Sequence, residues 1–128
     1  MQLIQSLMDA INRISKNVDS GDFDQANLDL NKSYDLLGGS AGFFKNSNVN
    51  EIVIFLKSVD ADYSKKIEML GHLFFLEAKI IEGNKDKREV LLKAKSFFEY
   101  YITESKEFSF EVNGKIANIM NKLNEMEL

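Results

Sequence analysis

The chain of 128 residues contains no cysteine, no proline and no tryptophan, and its only histidine is His72. Without cysteine there is no disulfide framework, no thiolate metal site and no thiol nucleophile. Without proline the backbone keeps every amide donor and meets no built-in helix breaker, which suits uninterrupted helices joined by short turns. Long apolar runs are missing too: none approaches the ~20 residues that a membrane-spanning helix needs. The N-terminus lacks the basic start and apolar core of a signal peptide, so the expected location is cytoplasmic, with no membrane partner. Positive charge is also in short supply. Sixteen lysines and arginines against 20 aspartates and glutamates give a formal net charge of −4. A sequence-independent nucleic-acid binder needs a positive surface to displace counterions, so no nucleic-acid partner is expected.

What is present is a set of apolar residues at helical spacing. With 45% hydrophobic and 28% charged residues, residues 1–128 read as one soluble domain, large enough to bury roughly two-thirds of its unfolded surface. The stretch from Tyr63 to Ile102 organises it. Tyr63, Ile67, Leu70, Phe74, Ala78 and Ile81 fall on one face of a helix, and Met69, Leu73, Leu76 and Ile80 on another. Two apolar stripes mean packing from two sides, which predicts a central helix. Lys65, Glu68, His72 and Lys79 share the narrow polar strip left over and are expected to face water. Gly71 reads as a point of close approach for another backbone, with Ala78 two turns on. Asp60 or Asp62 can cap the start, and Gly83 can stop the helix in a left-handed conformation. A second helix from about Asp86 to Glu104 presents Val90, Leu91, Ala94, Phe97, Phe98 and Tyr101 to the first. The short connection makes residues 60–104 an antiparallel hairpin.

An earlier hairpin covers residues 1–37. Leu3, Ile4, Leu7, Ile11, Ile14 and Val18 line its first helix, and Phe23, Ala26, Leu30, Tyr34 and Leu37 its second. Leu28 and Leu36 fall off that face and predict a further contact. Gly38-Gly39-Ser40-Ala41-Gly42 opens a loop over 38–47, in which Phe43 and Phe44 either tuck over the core as a lid or form an exposed adhesive patch. Asn48 and Glu51 have capping-box spacing and open a short helix over 48–59. The last helix, 108–127, has Val112, Ile116, Ile119, Met120, Leu123 and Met126 on one face and only polar residues on the other, as a capping helix should. No stretch alternates like a strand. The expected fold is all-α with about six antiparallel helices.

Gly21-Asp22-Phe23 followed by Ala26, Leu30 and Ser33 resembles the turn and second helix of a tetratricopeptide repeat, and Leu70-Gly71 followed by Phe74 resembles that motif's first helix. The interval from Gly71 to Gly83 is longer than the usual repeat allows and no closing proline follows either hairpin, so the likeness is to a divergent array. The layout is also similar to a family of small, functionally uncharacterised bacterial proteins. These resemblances imply a right-handed array of helical hairpins ending in a capping helix. They also imply an interaction scaffold without catalytic residues or a cofactor.

The candidate partner-binding residues are Glu77, which lies between the two apolar faces of the central helix, Tyr100, Phe43, Phe44 and Leu36. Tyr100 points away from Tyr101, so the last helix or a partner must cover it. His72 lies one turn after Glu68, so the two can pair. The Glu-x-x-His pairs of di-iron bundles are missing, and no metal is expected. Lys85, Lys87 and Arg88 form a basic turn that could hold an anion at a helix start, or merely be solvated. The Gly-rich stretch lacks the Lys-Ser/Thr ending of a phosphate loop. The leading expectation is therefore a non-catalytic module that binds a protein or peptide, or a second copy of itself through Leu28, Leu36 and Tyr100. The alternative is a small-molecule or enzymatic pocket lined by Glu77, Tyr100 and Tyr63.

Overall fold

A computed structural model describes residues 2–126, and every regular element among them is an α-helix. The order is α1 (Gln2–Asp19), α2 (Phe23–Leu36), α3 (Ala41–Asn46), α4 (Val49–Val59), α5 (Tyr63–Ile80), α6 (Asn84–Ser105) and α7 (Phe110–Met126). The all-α expectation holds. The expected outer ends of the first and last helices, Met1 and Glu127, lie outside the described residues. Among the described residues no helix is long and apolar enough to cross a membrane.

Local chemistry explains most boundaries. At the end of α1 the amide of Asp22 donates to the Asn17 carbonyl and that of Gly21 to Val18, with Gly21 at φ +83°. This double closure needs a left-handed residue, which glycine supplies at no steric cost. Asp22 then caps α2 by accepting from the Gln25 amide. Asn48 and Glu51 form the expected reciprocal capping box at α4, and Ser109 accepts from the Val112 amide at the start of α7.

Three expectations change. The 38–47 segment is not all loop: Ser40 accepts from the Phe43 amide and starts α3, an ordinary serine cap hidden by the glycines around it. Gly83 does not end α5 in a left-handed turn. Its φ is −78°, and as an extended residue it is the cap of α6, which therefore starts at Asn84. Phe23, expected in the core, is 46% exposed and stands at the first position of α2.

α5 is central, as its two apolar stripes require. Every residue from Lys66 to Ala78 is buried, and α1, α2, α4 and α6 all pack against this one helix. Gly71 is its closest-packed point. A Cβ there would stand 2.6 Å from Cε1 of Phe98 on α6, so the glycine admits the whole ring. A line of aromatics runs beside it: Phe74 stacks on Phe97 with ring centres 5.7 Å apart and meets Tyr34 at 5.4 Å, and Tyr34 meets Phe44 at 6.0 Å. α7 covers α6 with Val112, Ile119 and Leu123, while Met120, expected on the same face, is 49% exposed.

Candidate functional site

Lys65 and Lys79 of the polar strip of α5 are exposed as expected, but Glu68 and His72 between them are buried. α1 flanks the strip on one side and the start of α7 on the other, and together they enclose a cleft of about 450 Å³. Its floor is Lys65, Glu68, Met69, His72 and Leu76. Met8, Ile11, Asn12 and Ser15 form the α1 wall, and Glu111 and Lys115 form the α7 wall. The lining mixes thioether, aliphatic and charged groups, unlike a sealed core.

His72 is the largest departure from expectation. Read as a surface histidine, it is only 3% exposed. Its neighbour Gly71 is the reason: the Phe98 ring seated against that glycine also meets the His72 ring edge-on, 5.0 Å between centres. The imidazole Nε2 lies 3.1 Å from Glu68 Oε2 and 3.4 Å from Glu111 Oε1. Both neighbours of Nε2 accept hydrogen bonds, so the neutral ring carries its proton there. Nδ1 is buried and finds no partner among the described residues. Lys65 donates to the other Glu68 oxygen at 2.8 Å. Burial pushes the Glu68 carboxyl up, yet the hydrogen bonds from His72 and Lys65, with the Lys65 charge, outweigh it and hold the group below its ordinary value. Burial lowers the Lys115 ammonium, which sits 4.8 Å from the Phe75 ring centre.

The residues singled out from sequence do not gather at this cleft or at any single place. Glu77 is 6% exposed; it accepts from the Tyr34 hydroxyl at 3.2 Å and pairs with Lys45 at 3.4 Å. Burial and the Glu77 charge raise the Tyr34 hydroxyl well above its ordinary value. A shallow groove of about 380 Å³ passes over Glu77, lined also by Phe23, Asn27 and Lys45. Tyr100 is half-buried at the opposite end of the α5–α6 hairpin, where its hydroxyl and that of Tyr63 both reach Glu104. A helix rises about 1.5 Å per residue, which separates Glu77 from Tyr63 by the better part of α5. One pocket cannot hold Glu77, Tyr100 and Tyr63 together.

Phe44 is fully buried and Phe43 half-buried, both packed edge-on against Phe55 of α4. Of the two readings of this aromatic pair, the lid over the core is the one observed. Leu36 and Leu28 are 47% and 55% exposed. The basic turn Lys85, Lys87 and Arg88 lies in the first turns of α6.

Sequence reading paired Glu68 with His72 but missed Glu111, which arrives from a helix two elements later. Nothing local to Glu111 marks it, since it reads as an acidic residue in a first turn. No protein-family model, curated protein or solved structure matches this chain.

Proposed function

We propose that the chain is a non-catalytic helical scaffold, arranged as a divergent tetratricopeptide-like array, whose α1–α5–α7 cleft receives a polypeptide segment of a partner protein. The observation that carries this reading is the cleft itself: a floor of mixed polar and apolar side chains on the most buried helix of the molecule, between a half-apolar α1 wall and a charged α7 wall. Stacked helical hairpins characteristically use such concave surfaces for binding. The segment it suits has an apolar side chain to lie against Met8, Ile11 and Leu76, next to hydrogen-bonding groups for Asn12, Ser15 and the carboxylates. A cytoplasmic setting suits this role.

Selection from a random-peptide display library tests the reading, with wild type and a Met8→Glu, Asn12→Arg variant as parallel targets. Both positions are exposed, so the variant keeps its fold. Peptides of common pattern that bind wild type and fail on the variant are expected. Absence of enrichment, or equal enrichment on both targets, rejects a peptide-binding cleft.

Self-association through Leu28 and Leu36 is a second reading, favoured by the exposure of both side chains on α2. Sedimentation of wild type beside a Leu28→Lys, Leu36→Lys variant decides it: a dimer lost in the variant supports it, and a monomeric wild type ends it.

A further inference from the structure

The grouping of Glu68, His72 and Glu111 asks for a cation. Three donor atoms, one from each residue, lie within 4.8 Å of one another. Two are carboxylate oxygens, and the only proton available between them is the one on Nε2. A single N–H serves one acceptor well, which leaves the second carboxylate facing the first. Lys65 already occupies Glu68 Oε1 and so leaves Oε2 as the free donor. On its other side the imidazole has no polar partner among the described residues, so Nε2 makes all the polar contacts of a ring that is 3% exposed.

We propose that Glu68, His72 and Glu111 bind a first-row divalent metal ion at the floor of the α1–α5–α7 cleft, with Zn²⁺ as the preferred occupant.

The spacing of the two histidine–carboxylate pairs is close to that of a tetrahedral site. Metal–ligand bonds of 2.0–2.2 Å in a tetrahedral site place neighbouring donors about 3.3–3.6 Å apart. Here Nε2 stands 3.1 Å and 3.4 Å from its two carboxylate oxygens before any metal is bound. The donor set also matches. One imidazole with two carboxylates suits borderline divalent ions, and the general affinity order puts zinc above manganese and iron. Three protein ligands leave a fourth position, which opens into the cleft, as in zinc sites that keep a solvent or substrate ligand. On binding, the ring switches tautomer: the proton leaves Nε2 and Nδ1 takes one up, so a neutral imidazole gives its Nε2 lone pair to the metal. Lys65 and Lys115, which also line the cleft, hold the affinity below that of a closed four-ligand site, because two cationic side chains oppose the incoming ion.

The inference shares the cleft of the proposed function but does not depend on what polypeptide occupies it, since its readout is metal binding alone. The full-length, tag-free protein is stripped with EDTA, dialysed and titrated with ZnCl₂ by calorimetry. A parallel titration with CoCl₂ is followed by visible absorption. Expected are one ion per chain, a cobalt ligand-field band that zinc displaces, and reversal of both by EDTA. His72→Ala and Glu111→Gln lose the binding, whereas Glu125→Gln keeps it. Glu111 is decisive if His72→Ala fails to fold, because its side chain is 68% exposed and its replacement leaves the core intact. Absence of zinc heat and of the cobalt band overturns the proposal. So does undiminished binding in a folded Glu111→Gln protein.

Discussion

At Gly71 two residue-scale effects oppose each other. Alanine in place of a mid-helix glycine gains about 1 kcal/mol of helix propensity. The added Cβ would meet the Phe98 ring at 2.6 Å, and that ring is fully buried with nowhere to retreat. Overpacking of this kind costs about 1–3 kcal/mol, and the ring also supports His72. Gly71→Ala should therefore fail to stabilise the protein and should lower its stability by up to about 2 kcal/mol in urea denaturation, against the propensity scale. A variant more stable than wild type would contradict the close packing. Glu68 gives a pH-dependent counterpart. Its folded-state pKa lies below the ordinary carboxylate value, with burial opposing the shift and the His72 and Lys65 hydrogen bonds winning. A carboxylate depressed on folding contributes stability that is present in full above its unfolded pKa and is lost as pH falls through the folded one. Wild type should thus lose more stability than Glu68→Gln between pH 6 and pH 3, as read from paired denaturation curves (pH values set at about one to two units around the ordinary carboxylate range). Parallel curves for the two proteins would show that the pair contributes nothing.

At the scale of an element, α3 shows how a six-residue helix survives. Alone, a helix this short does not form in water. Phe44 anchors it in the core, and Lys93 of α6 closes its C-terminal end. The Lys93 ammonium donates to the carbonyl oxygens of Phe44, Lys45 and Ser47, the last at 2.7 Å, and lies 4.8 Å from the Phe74 ring centre. A cation there satisfies carbonyls that have no partner within the helix and suits the negative end of its dipole. Burial lowers the Lys93 ammonium, so the contact is made at a cost in solvation. Lys93→Met keeps the stem and removes the donor. It should cost about 1–3 kcal/mol, and the amides near Phe44 and Ser47 should lose hydrogen-exchange protection before the rest of the molecule. Unchanged exchange there would mean that Phe44 alone holds the element.

For the whole molecule, the decisive feature is that one helix is shared by nearly all the others. In a regular repeat array each unit touches only its neighbours, and unfolding can proceed in parts. Here α1, α2, α4 and α6 all bury surface on α5, so none of these four can leave without exposing it. Urea unfolding should therefore be a single transition, coincident by far-ultraviolet circular dichroism and by fluorescence of the four tyrosines. Separate midpoints would show that the two hairpins are independent units. The same centrality explains why much of this fold was legible in the chain. The two apolar stripes of α5 announced a helix covered from two sides, the Asn48–Glu51 pair announced the start of α4, and Gly21 with Asp22 marked the first turn. α3 escaped because glycines surround Ser40, and its stability comes from Lys93 of a distant helix rather than from its own residues.

The sequence by itself determined every helix but α3, because periodicity, caps and turn glycines act over a few residues and are written next to each other. It also placed Glu68 and His72 on one face of α5, since one helical turn brings them together whatever the rest of the chain does. Only the tertiary structure decided that this face is a cleft floor rather than a surface. That outcome needs α1 and α7 to arrive on either side, and it needs Phe98 to fill the space left at Gly71. The same packing carried Glu111 to within 3.4 Å of His72 and took Glu77 away from Tyr100. Burial and charge pairing across elements follow from which helices meet, and no short-range pattern in the chain encodes that.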